Sequence, residues 1–323
     1  MTAAGESGAA AVTAPSVGVV GARGFVGRRV VAALSAGRHP VVACTRDTRG
    51  VAGPSPPSEV RWHPLGGPPL RVRKWISVCP LWCLHEWLPW LEACGAERLV
   101  AVSSTSRFTK SGSADADERA TAERLAVAEA AVVRWAEGRS VAATILRPTL
   151  IYDGIHDRNV ARIAGFVRRW GFFPLVGGAR GVRQPVHVDD VASACVAALG
   201  SGATGTASYA LSGGESLTYR EMVSRIFQAA GLRPRFVSLP RWAIRPGIRI
   251  ASRLGVGGVT IGMFDRMSED LVFDHAGAAR DLGFRPRPFS LPASLPPDDG
   301  GSDAGTASEP PSSPVTPADD TRE

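Results

Sequence analysis

The stretch Val17-Gly18-Val19-Val20-Gly21-Ala22-Arg23-Gly24-Phe25-Val26-Gly27 decides the fold of this 323-residue chain. A short apolar run enters glycines at 21, 24 and 27, and Arg28-Arg29-Val30-Val31 continues as an amphipathic segment. The pattern reads as a buried strand, a tight turn and the start of a helix. Glycines at such a turn let the backbone approach a pyrophosphate, and the N–H groups of the helix N-terminus face its charge. A second apolar run, Val41-Val42-Ala43-Cys44-Thr45, follows at the distance of a β-α-β unit. Gly21, Arg23, Gly24, Phe25, Val26 and Gly27 are therefore the expected seat of a dinucleotide. A glycine-rich turn without a ligand is the competing reading.

The second strand ends at Arg46-Asp47. In dinucleotide folds this end faces the adenosine ribose, where an acidic residue suits a free 2′-hydroxyl and an arginine suits a 2′-phosphate. Arg46 comes first and Arg23 sits inside the glycine turn, so NADP(H) is favoured. Asp47 keeps NAD(H) open.

Composition sets the outer limits. The chain is 44% hydrophobic, enough for one large domain or two joined ones. Residues 1–15 are mostly Ala, Gly, Ser and Thr without arginine, and read as a disordered N-terminus rather than a transit peptide or secretory signal. Residues 292–323 are rich in Pro, Ser, Gly and Asp, too poor in apolar surface to order themselves. That tail holds seven acidic residues against one arginine, so the net +7 of the chain understates the positive charge of the rest. An anionic ligand, partner or surface fits such a balance. Lys74 and Lys110 are the only lysines; arginine carries the remaining positive charge, a bias that a GC-rich coding sequence also produces. Five cysteines (44, 79, 83, 94, 195) are scattered through apolar runs, which predicts buried thiols in a reducing, cytoplasmic compartment and no metal site.

Residues 50–73 contain no periodic segment long enough for a crossover helix, and Val60-Arg61-Trp62-His63 is the only strand-like piece. The crossover is expected to be a loop, with His63 on the surface or at an adenine edge. Trp75 to Pro80 reads as the fourth strand. A helix from Leu81 to Cys94 follows, and it carries Trp82, Trp87 and Trp90 on a subunit-contact or core-facing side. Arg98 to Val102 is a buried fifth strand leading into Ser103-Ser104-Thr105-Ser106-Arg107-Phe108-Thr109-Lys110.

Four segments taken in order carry a family resemblance. They are the glycine turn, Val102-Ser103-Ser104, Leu146-Arg147-Pro148-Thr149-Leu150-Ile151-Tyr152, and Arg183-Gln184-Pro185-Val186-His187-Val188-Asp189-Asp190-Val191-Ala192. Across residues 16 to about 235 the chain resembles the extended short-chain dehydrogenase/reductases, the superfamily of NAD(P)-dependent sugar-nucleotide epimerases and dehydratases. The resemblance implies an α/β, doubly wound parallel sheet of Rossmann type over residues 16–155. It also implies a smaller, mostly substrate-side C-terminal part over 156–291, with some returns to the core. It implies cofactor contacts from Cys79, Pro80, Ser103 and Pro148 at strand ends, and a substrate-phosphate contact from Arg183, hence an anionic, nucleotide-sugar-like substrate.

The family's chemistry depends on a Ser/Thr, a Tyr and a Lys four residues after the Tyr, which exchange a proton as hydride moves. Ser104 occupies the first position. The following helix, roughly Asp117 to Glu137, contains neither tyrosine nor lysine, and aligning Ala128-Glu129 with the family's Ala-Glu puts Thr121 and Leu125 where the pair belongs. The chain therefore resembles the atypical branch that includes the accessory NAD(P)H-binding subunit of respiratory complex I. Lys110 and Tyr152 are candidates for a relocated acid/base. The competing readings are a loop lysine and a ring packed at the nicotinamide edge.

Asp157 to Gly171 reads as a helix whose Arg158, Arg162 and Arg169 face an anionic substrate or solvent. Residues 177–183 read as a flexible loop over the substrate. Asp189 and Asp190 are expected to cap the next helix. Thr218 and Glu221 form a capping box for a helix reaching Ala230. Arg241, Arg245, Arg249 and Arg253 recur every four residues among apolar ones, as a basic stripe that suits anionic lipid, another subunit or solvent. Nothing reads as a nucleic-acid motif. Two classes of function remain open: an NADP(H)-dependent oxidoreductase or epimerase with relocated acid/base groups, and a non-catalytic NADP(H)-binding module docked on a larger complex.

Overall fold

The structure, a computed structural model, describes residues 16–46, 60–157, 159–202, 204–240, 242, 264 and 266–292. Asp47, Arg158, the arginines at 241, 245, 249 and 253, and the tails 1–15 and 293–323 lie outside the described residues.

Seven parallel strands form one sheet. They are β1 (Val17–Val20), β2 (Val41–Thr45), β3 (Val60–Pro64), β4 (Lys74–Ser77), β5 (Arg98–Val102), β6 (Ala142–Pro148) and β11 (Thr206–Leu211), ordered 3-2-1-4-5-6-11. The chain steps outward on both sides of β1, so the order reverses between β1 and β4. The inner strands β1, β2, β4, β5 and β6 are buried on both faces along most of their length, which is why they read as apolar runs rather than alternating ones, whereas the edge strands β3 and β11 are largely open. The alternation is nevertheless present in the packing. Val17, Val19, Val41, Ala43, Ile76, Val100 and Val102 enter one core, together with Val30 and Leu34 of α1 (Phe25–Ala36) and Val191 and Cys195 of α7 (Val188–Gly200). Val20, Val42, Cys44, Trp75, Leu99 and Ala101 enter the other. That second core is closed by α2 (Leu81–Leu84), α3 (Leu88–Ala93) and α5 (Ala116–Gly138). Gly18 pairs with Trp75 across β1 and β4, and a Cβ at 18 would collide with the indole.

The segment between β3 and β4, residues 65–73, is a loop without a helix. Tryptophans do the covering instead. Trp90 Nε1 donates to Gly67 O (2.7 Å), its ring meets Trp75 edge-on at 5.3 Å, and Leu65, Leu70 and Val72 join the second core. The tryptophan-rich segment is thus core-facing, but it is not one helix. A 3₁₀ turn (His85–Trp87) separates α2 from α3, because Pro89 has no N–H to continue the ladder and serves best near a helix start. His63 is buried rather than on the surface: it stacks on Trp90 at 6.0 Å, with Nε2 3.1 Å from Pro68 O.

A third core lies beyond β6. It joins Tyr152 of β7 (Ile151–Tyr152), α6 (Val160–Trp170), β8 (Phe173–Val176), Leu217 of β12 (Leu217–Thr218) and α8 (Tyr219–Ala229). Between them run β9 (Val182–Arg183) and β10 (Val186–His187), while β13 (Phe236–Leu239) pairs with β8. The chain returns to the main sheet through α7, β11 and α9 (Ala276–Leu282). Thr218 and Glu221 make the capping box of α8. The acidic entry to α6 is Asp157, whose carboxylate accepts from the N–H groups of Asn159, Val160 and Ala161, and Gly171 ends the helix with a left-handed φ of 71°. The capping roles expected of Asp189 and Asp190 pass to His187. Its Nδ1 accepts from Asp189 N–H (3.2 Å), while the two carboxylates pair with Arg29 and Arg287. Charge attraction across 97 to 160 residues of sequence outcompetes the local backbone donor.

Candidate functional site: a crevice at the carboxyl edge of the sheet

A parallel sheet puts all its strand C-termini on one edge, and a crevice opens where the order reverses. That edge gathers the glycine turn after β1, Arg46 after β2, Cys79 and Pro80 after β4, Ser103 and Ser104 after β5, and Pro148 at the end of β6. The three glycines have separate physical reasons. Gly21 has φ 84°, and a Cβ there would sit 2.8 Å from Cys79 N. Gly27 packs so close that a Cβ would overlap the Gly21 carbonyl. Gly24 is the N-cap of α1 and meets only Gly21 O, at 3.2 Å from its added Cβ. Any side chain at 24 would therefore project into the crevice.

The turn closes through Gly24 N–H to Gly21 O (3.0 Å), and the first intrahelical bond runs from Arg28 N–H to Gly24 O (3.0 Å). The amides of Phe25, Val26 and Gly27 precede that bond, as the first amides of any helix do, and point out of its N-terminus. The donor set and the close approach fit a pyrophosphate. Arg23 and Arg46 are both exposed on this edge, and the Arg46 charge acts on the Cys79 thiol, which burial pushes up and the Ser77 hydrogen bond and Arg46 hold back.

The opposite side of the crevice is built from side chains. Ser103 Oγ donates to Glu129 Oε1 (2.6 Å), and Glu129, only 1% exposed, also receives Arg147 in a two-pronged pair (2.8–3.2 Å) and Arg107. Burial pushes the Glu129 carboxyl up. Hydrogen bonds from Arg147 and Ser103 and the two arginine charges outweigh this and hold it below the usual carboxylate range. Ser104 Oγ accepts from Ser106 N–H (3.1 Å), at the entry to α4 (Ser106–Thr109). Leu125 is buried in the second core, and Thr121 Oγ1 donates back to Asp117 O (2.8 Å).

The two candidates for a relocated acid/base are both engaged. Tyr152 is fully buried against Phe289 (4.7 Å) and His187 (5.3 Å), and its hydroxyl accepts from Ser290 N–H (3.1 Å). Burial pushes this phenol up. Lys110 Nζ lies 3.7 Å from Glu118, a carboxylate that Arg266 and Ser113 also bind. Arg183 joins the same cluster from the other lobe but faces inward. Its guanidinium donates to the carbonyls of Val182 (2.9 Å), Glu269 (2.6 Å) and Arg266, and burial lowers its pKa. The glycine-rich loop ahead of it holds left-handed backbone at Gly177, Gly178 and Ala179. Arg162 and Arg169 of α6 are exposed.

Sequence reasoning missed the Glu129 hub, which it used only as an alignment mark. The signal was available: Glu129 falls on the apolar stripe of α5 with Leu125, Ala128, Val132 and Ala136, and Arg147 is the only charge inside β6. Two buried opposite charges on adjacent elements are expected to pair.

The sheet, the glycine turn and the lobe beyond β6 define the class of fold: a mixed α/β, Rossmann-type architecture with a seven-stranded parallel sheet, shared with solved structures of sugar-nucleotide epimerases. Among solved structures, MoeE5 in complex with UDP-glucuronic acid and NAD superposes with a TM-score of 0.62 at 20% identity, over 85% of this chain and 94% of that one. UDP-glucuronic acid 4-epimerase from Bacillus cereus in complex with NAD gives 0.59 at 14% identity, over 84% and 93%. No protein-family model matches the chain. In sequence it is 39% identical over 99 residues to the mitochondrial NADH dehydrogenase (ubiquinone) 1 alpha subcomplex subunit 9 of Arabidopsis thaliana, covering 30% of this chain and 24% of that protein. It is 29% identical over 208 residues to the uncharacterized protein y4nG of Sinorhizobium fredii, covering 60% of this chain and 50% of that one. The chain thus spans a quarter and half of the length of these two curated relatives. No helix among the described residues is long and apolar enough to cross a membrane.

Proposed function

We propose that this protein is an atypical extended short-chain dehydrogenase/reductase that binds NADP(H) and does not run the tyrosine–lysine chemistry of the superfamily. The observation that carries the reading is the contrast between a complete backbone seat at Gly21, Gly24 and Gly27 and a helix that buries Leu125 and bonds Thr121 to the carbonyl of Asp117. Phe25, Val26 and Gly27 would receive the pyrophosphate on their amides, with Cys79, Pro80, Ser103 and Pro148 lining the cofactor from the strand ends. Arg23 and Arg46 would meet a 2′-phosphate, which favours NADP(H) over NAD(H). A bound nicotinamide supplies hydride chemistry, but a proton must still reach the substrate oxygen. Tyr152 would have to leave the core to deliver one, and Lys110 is held by Glu118.

The geometry therefore supports a binding module, structural or redox-sensing, over an epimerase with relocated acid/base groups. The stretch of likeness to a subunit of mitochondrial NADH dehydrogenase supports a place on a larger complex. Free thiols at Cys44, Cys79, Cys83, Cys94 and Cys195 support a reducing compartment such as the cytoplasm. Calorimetry with NADPH and NADH is the test of the first claim: NADPH binds, NADH binds more weakly, and failure of both sinks the reading. Following bound-NADPH fluorescence against a panel of UDP-sugars tests the second, with no oxidation expected.

A further inference from the structure

A second concave surface lies between α5, β6 and the edge strand β11. It is an open groove of about 340 Å³, at the lower end of the range of small-ligand sites. Val133 and Ile145 give it an apolar lining, while Arg107, Arg134, Arg147 and Ser208 give it polar groups. Two of the three guanidiniums are held in place. Arg147 gives Nε and Nη2 to Glu129 and Nη1 to Ser208 Oγ (2.9 Å), and Arg107 gives Nη1 to Glu129. Both guanidiniums also lie 5.4 Å from the centre of the Phe108 ring, which restrains them further. A guanidinium has more N–H donors than these bonds use. Arg134, on the exposed side of α5, makes no hydrogen bond or ion pair with any described residue. Glu137, the acid one turn on, accepts from Thr206 Oγ1 (3.5 Å) and forms no ion pair with Arg134.

Among the described residues Glu129 is the only acid that lines the groove, and it is 1% exposed. Three guanidiniums therefore meet one sunken carboxylate, which leaves positive charge in excess at the groove surface. A dianion matches that excess, and the guanidinium fork matches the oxygens of a phosphoryl group. Donors already fixed by Glu129 and Phe108 lose little freedom when a ligand arrives. Ser208 Oγ accepts from Arg147, so its own hydrogen is left to donate. We propose that this groove binds a compact organic phosphate, with the phosphoryl group on Arg107, Arg134, Arg147 and Ser208 and the apolar body against Val133 and Ile145. The site differs in kind from the glycine turn: it offers side chains of α5, β6 and β11, where the turn offers the amides of α1.

Phenyl phosphate is the probe, with inorganic phosphate and benzoate beside it. The full-length chain with labelled methyl groups is titrated by NMR, and calorimetry supplies the affinities. Phenyl phosphate should shift the methyl resonances of Val133 and Ile145. It should bind several-fold more tightly than inorganic phosphate, which lacks the apolar body, and than benzoate, which carries a single charge. Arg134→Ala should weaken it by about ten-fold, the scale of one charge-assisted contact. Because Arg134 holds no other part of the fold, the melting temperature of that variant should match the wild type. Ser208→Ala should give a smaller loss. Shifts confined to Val26 of the glycine turn overturn the proposal, as does wild-type affinity in folded Arg134→Ala. Benzoate binding as tightly as phenyl phosphate overturns it too. None of these readouts depends on the dinucleotide.

Discussion

The two sides of the crevice are built by different means, one from backbone and one from side chains. The β1–α1 side works through backbone: a left-handed glycine, an open N-cap and amides that precede the first helical bond. The α5 side has to work through side chains, and there the chain presents leucine, a threonine bonded to the Asp117 carbonyl and a salt-bridged glutamate. A backbone seat is kept by anything that keeps the turn, because other residues cannot adopt its conformation or fit its contacts. A proton relay depends on two side chains that the fold does not need, so it can be exchanged for packing without disturbing the sheet. Glu129 is such packing: buried, it is a clamp between α5, the end of β5 and β6.

The largest effect expected is on the clamp. Glu129→Gln leaves Arg107 and Arg147 facing each other without a carboxylate, and chemical denaturation should show a loss of about 2–4 kcal/mol. Both arginines also line an open groove with Arg134 and Ser208, so water shares their charge and keeps the cost below that of a sealed site. The same variant tests the pH dependence. Glu129 has a lowered folded-state pKa, so its stabilisation is fully present above the ordinary value of 4.5 and is lost as pH falls through the folded value. Wild-type stability should decline through that acid range, and Glu129→Gln should flatten part of the decline. An unchanged acid profile would mean that the clamp is not the ion pair described.

Next comes the seat. Gly24→Val adds a side chain to ordinary backbone, φ −68°, that meets little but the Gly21 carbonyl. NADPH affinity should fall about 100-fold by calorimetry while the melting temperature moves by only a few degrees. Retained affinity would break the comparison, because the turn would then not be the binding side. Arg46→Ala sharpens it: NADPH should weaken by about 5- to 10-fold and NADH stay level, as expected from one charge beside a 2′-phosphate. Smallest is Tyr152→Phe. Losing the acceptor for Ser290 N–H should cost about 1 kcal/mol and leave NADPH affinity unchanged; a selective loss of binding would return this phenol to the crevice.

Much of the sheet was legible because its information is local. Apolar runs of four to seven residues between turn signals, with a helix pattern after most of them, point to parallel strands. A loop was expected from the lack of a period in residues 50–73; of these, 65–73 are described and form a loop. What closes that loop was not legible. That Trp90 reaches Gly67, and that His63 lies under it, depends on segments about 25 residues apart meeting across β4. The capping box at Thr218 was readable since its partner is three residues away. The roles of Asp189 and Asp190 were not, since the local rule lost to arginines from α1 and from beyond α9.

The candidate site divides along the same line. The glycine turn, the strand-end serines and the lack of Tyr and Lys on α5 are properties of the chain read in order. Their meeting on one edge follows from all seven strands being parallel. Tertiary structure alone decided that Tyr152 is core, that Arg183 spends its donors on three carbonyls, and that Lys110 belongs to Glu118. The sequence by itself determined backbone conformation and which positions must be apolar, because sterics and periodicity act within a few residues. Which polar side chain is available for chemistry was settled only in three dimensions, because a donor or charge goes to whichever partner the folded chain brings within reach.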